Sequence, residues 1–261
     1  MEPALPTPES APAAPPPPGS LAGKLLNIFA VPGDVFNEVK TAGLNHANWL
    51  LPAILLTLAG WISAGLIFSQ PAIRQQMIEL ADKSIDRMVE KGNLPADQAE
   101  KIKATTEKAA MVAAVISTVA GTPMFAFALP FWWGLILWLG GKVFNGNFSY
   151  LKAVEAAGLA NMILVLDVVV KTLLILVTGN LYASPSLALA VKDFDPQNPL
   201  HGLCTLVNVM LFWALLIRAI GLARLSGTSL GKAALWVFGI WAAYTGALLG
   251  LSAALRAVLP H

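Results

Sequence analysis

The chain is poor in the residues that build reactive centres. It has one cysteine, Cys204, so no intrachain disulfide can form and no cysteine-based zinc site exists. Its three histidines, His46, His201 and His261, lie far apart and show no paired ligand spacing. Charge is scarce as well: charged residues make up 12% of the chain, against about 25% in soluble domains. A formal net charge of +2 is too small to imply a nucleic-acid partner. No Walker loop, no His-Glu-x-x-His and no dinucleotide fingerprint occurs. The expectation is a protein without a metal, without a cofactor and without a catalytic set.

Apolar sequence is abundant. Hydrophobic residues are 56% of the chain, and the mean hydropathy is +0.67. Five long apolar stretches lie near 49–69, 110–141, 157–179, 203–222 and 232–258. A hydrocarbon core ~30 Å thick needs about 20 helical residues at ~1.5 Å each. Each stretch reaches that length, so the spacing predicts an all-α polytopic membrane protein of five transmembrane helices. The bilayer is then its first partner.

Three further regions frame those spans. Residues 1–20 hold eight prolines, no apolar core and no basic start, which reads as an extended, disordered arm and not as a cleavable signal peptide. In residues 21–48, Leu25, Ile28, Phe29, Val35, Phe36 and Val39 recur at nearly helical spacing, with Pro32 suited to the first turn of a new helix. Two short amphipathic helices in the interface explain this pattern, and Trp49 marks the water boundary. Residues 49–258 form the membrane domain. Within it, 72–108 carries seven basic and seven acidic residues with a break at Gly92-Asn93, which predicts a polar helical hairpin between the first two spans. The second apolar run is longer than one crossing needs, so a kinked or tilted helix partly continuous with the hairpin is expected. Trp132, Trp133 and Trp138 read as an aromatic belt.

An N-terminus in the cytoplasm puts Lys24, Lys40, Lys142, Lys152, Arg218, Arg224 and Lys232 inside, and Lys192 and Arg256 outside with the C-terminus. The hairpin's seven basic residues fall outside, against that rule. Asp167 and Lys171 are the ionisable pair deep within a predicted span; four residues apart, they share a helix face and can pair. Charge at that depth is costly, which makes the pair an ion or proton relay or, alternatively, a structural ion pair facing the bundle interior. Gly60 with Ala64, and Gly246 with Gly250, stand four apart, the spacing that lets helices approach closely; the second pair is also compatible with a homodimer. Gly227-Thr228-Ser229-Leu230-Gly231 matches the nucleophile elbow formally, but no histidine partner lies in a later span, and Ser229 or Thr228 serves as a helix N-cap.

Several segments together resemble bacterial Yip1-domain proteins. Phe29, Pro32 and Phe36 match an F-x-x-P-x-x-x-F pattern, and Trp49 and Pro52 match the W-x-x-P that follows it. Gly140-Gly141-Lys142 through Ser149, Lys152, Ala153 and Ala157 is similar to that family's turn into its third helix. Gly221-Leu222-Ala223, Leu225 to Ser229 and Lys232-Ala233 resemble the link between its last two helices. The resemblance spans about residues 26 to 250 and implies a five-helix integral membrane domain of a bacterial cytoplasmic membrane with the N-terminus inside. It supplies no catalytic residues. Eukaryotic relatives are associated with vesicle traffic and small GTPases. The expected function is a non-enzymatic membrane scaffold or adaptor that binds other membrane proteins or lipid; the alternative is a small transporter or channel component using Asp167 and Lys171.

Overall fold

The computed structural model describes residues 19–192, 194, 195 and 198–258. Most of the proline-rich arm therefore lies outside the described residues. The described residues are mostly helical: α1 (Leu21–Ala30), α2 (Pro32–Thr41), α3 (Ala47–Phe68), α4 (Pro71–Glu90), α5 (Ala96–Val143), α6 (Tyr150–Ala160), α7 (Met162–Thr178), α8 (Pro199–Leu206), α9 (Val209–Ser226) and α10 (Leu230–Val258). Among the described residues, extended pairing is limited to one isolated bridge between Ser186 and Asn208. Among the described residues, five segments are long and apolar enough to cross a bilayer: Ala47–Phe68, Met111–Val143, Tyr150–Thr178, Val209–Ser226 and Leu230–Ser252. The protein is an all-α polytopic membrane protein.

Caps set where the helices begin, and two of them move boundaries expected from hydropathy. The third span starts at Tyr150 and not near 157, because Ser149 accepts the Lys152 N–H. It is broken into α6 and α7 at Asn161. The fourth span starts at Val209 and not at 203, because the Asn208 side chain accepts the N–H groups of Met210 and Leu211, while 199–206 forms a separate short helix. This shift of six residues carries Arg218 from the edge of the membrane to the middle of α9. Gly179 and Gly227 end α7 and α9 in the left-handed region, at φ 63° and 76°.

The polar hairpin is α4 and the first part of α5, and α5 runs on without a break into the second span. Its 48 residues extend ~72 Å, more than twice a hydrocarbon thickness, and the part before Met111 precedes the apolar span segment. Lys103 on α5 bonds Asp86 on α4; that hydrogen bond and the carboxylate charge raise the lysine pKa.

The core sits at the end of the bundle nearest the N-terminus. Phe36 and Ile28 are fully buried there, with Leu137, Leu159, Ile163, Leu215 and Leu222. Glycines make this possible. A Cβ on Gly221 would stand 3.2 Å from the Phe36 ring, and one on Gly158 only 2.3 Å from the Trp49 Cα and 3.1 Å from the Asn48 carbonyl oxygen. Backbone cannot retreat as a flexible side chain can, so Gly158→Ala is expected to lower the thermal unfolding midpoint of the detergent-solubilised protein, at a cost of about 1–3 kcal/mol. Gly65→Ala, where a Cβ meets nothing within 4 Å, should leave the midpoint no lower and, inside a helix, raise it slightly.

Candidate functional site

Two polar features lie inside the bundle. The first is a buried cluster that joins α3, α6 and α9. Glu155, 2% exposed, accepts the Asn45 N–H at 3.0 Å, the Asn48 side-chain amide at 2.7 Å and the Lys152 ammonium at 3.2 Å. Lys152 also donates to the Gly43 carbonyl at 2.7 Å. One carboxylate thus ties the approach to α3 and the start of α6 to a single point. Deeper in, Arg218 is 1% exposed and is the largest fully buried side chain among the described residues. Its Nη2 donates to Asn161 Oδ1 at 2.8 Å, and its guanidinium carbon lies 4.3 Å from the centroid of the Trp133 ring. A desolvated cation over an indole gains about 2 kcal/mol. No carboxylate pairs with Arg218 among the described residues, and its Nε has no hydrogen-bond partner.

Hydropathy alone conceals this cluster. Arg218 and Lys152 count as loop charges when spans are read from apolar runs; the structure buries both side chains inside the bundle. Trp133, expected in an aromatic belt, is 8% exposed and faces Arg218 instead. The available signal was Asn208, a cap residue directly before an uninterrupted apolar run, and Asn161, a lone amide in the centre of another.

The second feature is a cleft of about 670 Å³ between α3, α5 and α7. It brings together Asp167, Lys171, Gly60 and Ala64, with Ser63 and Thr122 beside them. Gly60 admits Thr122: a Cβ there would stand 2.6 Å from the Thr122 methyl. Thr172 donates to Ser63 Oγ or to the Val168 carbonyl, both at 2.6 Å. Asp167 and Lys171 do not form the ion pair that their spacing permits. Lys171 is exposed at the bundle surface, where a long lysine stem can carry its charge away, while Asp167 Oδ1 is buried without a hydrogen-bond partner. Gly246 and Gly250 line neither feature; both lie on exposed α10 surface, and a Cβ on either would meet nothing within 4 Å.

The described residues hold no group of three or more His, Cys, Asp or Glu that could bind a metal. Ser229 sits at the start of α10 as a cap, its Oγ 3.5 Å from the Lys232 nitrogen. On the far side, Tyr182 packs on Phe194 and Phe194 on His201, with ring centroids 5.0 and 5.6 Å apart. Burial, and then the charge of Asp195, raise the Tyr182 pKa above its ordinary value.

The buried pair has a measurable signature. Asn161→Leu leaves the Arg218 guanidinium without its acceptor and should cost about 3 kcal/mol of stability in detergent unfolding, whereas the double variant Asn161→Leu/Arg218→Met should recover most of that loss. Equal loss in single and double variants would contradict the pairing.

Comparison with curated proteins and with solved structures returns no match. The Yip1 domain matches residues 26–252, from α1 through the fifth span. That range contains the Phe29-Pro32-Phe36 segment, the buried cluster and the α9–α10 turn, and the chain belongs to the Yip1-domain family of integral membrane proteins.

Proposed function

We infer that this protein is a non-enzymatic membrane scaffold or adaptor, working through contacts with other membrane proteins and with lipid. The observation that carries this reading is the division of its surfaces. Inside the bundle, Glu155, Lys152, Asn48, Asn161 and Arg218 bond to one another and to backbone, which leaves no reactive constellation aimed at a substrate. Outside it, α4 and the head of α5 project a charged, partly apolar surface beyond the bilayer, with Met88 47% exposed. Family membership supports a membrane role and supplies no catalytic residue. The orientation adopted has the N-terminus in the cytoplasm of a bacterial cell, with the hairpin and C-terminus outside the inner membrane. The bare Gly246–Gly250 face is where a second copy would pack.

The test is purification of the full chain from native membranes in mild detergent. A defined partner or a stable dimer is expected. Met88→Glu should diminish partner recovery severalfold, and Gly246→Leu/Gly250→Leu should abolish self-association while the protein stays folded. A monomer without partners refutes the reading.

One observation favours a second reading: the Asp167 oxygen left unbonded in the α3–α5–α7 cleft. An intramembrane carboxylate facing a cavity is a recognised feature of ion and proton pathways. A small transporter or channel component would give flux in liposomes that Asp167→Asn abolishes; unchanged flux removes that residue from the pathway.

A further inference from the structure

Where α2 lies across the α9–α10 turn, a pocket of about 550 Å³ opens at the end of the bundle. Lys40 of α2 and Arg224 of the last turn of α9 line it, and no carboxylate does. The nearest acidic residues on α2 do not neutralise it: Glu38 is held by Lys24 at 3.2 Å, and exposed Asp34 lies outside the lining. Lys40 Nζ donates to the Arg224 carbonyl at 3.1 Å, which holds the ammonium at the mouth beside the guanidinium. The guanidinium in turn lies against Gly33, where a Cβ would come within 3.0 Å of Nη2. A cleft lined by one sign of charge focuses its field and attracts a counter-ion.

Two more properties narrow the ligand. Leu230 places the start of α10 in the wall; Ser229 caps one of its amides, and the positive end of the helix dipole favours an anion there, while Lys40 offsets the carbonyl end of α9. Ile220 and Ala223 of α9 and Leu230 of α10 give the pocket an apolar floor beside its polar lining. Cations and the positive end of a helix suit a phosphate, and an apolar floor continuous with two spans suits what a phosphate carries when it belongs to a lipid. We propose that this pocket binds the phosphate of an anionic phospholipid from the adjoining leaflet, with Lys40 and Arg224 as its cationic contacts. The assignment depends neither on the adaptor reading nor on which face is cytoplasmic.

The experiment is native mass spectrometry of the full chain in detergent, titrated with phosphatidylglycerol, phosphatidylcholine or inorganic phosphate. Wild-type protein should retain phosphatidylglycerol over phosphatidylcholine by about tenfold or more, since each basic residue at a lipid surface contributes about 1 kcal/mol. Lys40→Gln/Arg224→Gln should erase that preference. Asn37→Glu, which leaves both cations in place and puts a carboxylate in the pocket, should erase it too. All three side chains are exposed, so the unfolding midpoints should match wild type. The proposal is overturned if the folded double variant keeps the preference, if wild type retains the two lipids equally, or if inorganic phosphate displaces phosphatidylglycerol, which would mark a site for a soluble anion.

Discussion

A guanidinium placed where water is absent must find its partners in the protein, and the bundle is arranged around that requirement. Arg218 reaches Asn161 across the break between α6 and α7 and rests on the Trp133 face of α5. Three spans therefore converge on one side chain. An apolar residue would ask nothing of its neighbours beyond volume; an arginine at this depth asks for an acceptor at a set position. The interruption of the third span at Asn161 supplies it. Lipid tails are as apolar as leucine, so helices in a bilayer gain little from burying hydrocarbon against one another, and polar contacts with close backbone approach have to do the sorting.

Close approach is concentrated at the same end. Phe36 against Gly221 seats α2 on α9, Trp49 against Gly158 seats α3 on α6, and Gly146 admits the Ser226 backbone next to the α5–α6 turn. These are positions of the segments that carry the family likeness: the aromatic and proline pattern of the N-terminal helices, the turn into the third span and the link between the last two. Their short, degenerate motifs are easier to understand as contacts than as sequence, since Phe36 and Trp49 each meet a glycine on another helix.

Span number, helical class, the hairpin and its continuity with the second span were all legible in the sequence, because length and hydropathy report directly on what a bilayer admits. The pre-membrane helices were legible from Pro32 and the apolar stripe. What hydropathy could not convey was where an apolar run stops being a helix. Residues 203–207 are as apolar as 209–213, and only the Asn208 cap separates them; the same is true of Ser149 ahead of α6. Reading those two starts from hydropathy left Arg218 and Lys152 as loop charges, although both side chains are buried. Asp167 and Lys171 were visible because they interrupt an apolar run, yet their spacing predicted a pair, and a flexible lysine stem gave the charge another outlet.

The unbroken α5 has a mechanical consequence. One helix carries both the hairpin's outer surface and Trp133, and it crosses the membrane with Pro123 and Pro130 in its path. Each proline removes a rung from the backbone ladder, so the rod has soft joints partway down its length. A molecule that gripped the hairpin and tilted it would bend α5 at those joints, and the indole beneath the buried arginine would move in response. Docking on the hairpin and the repacking of an interior cation would then be two ends of one lever.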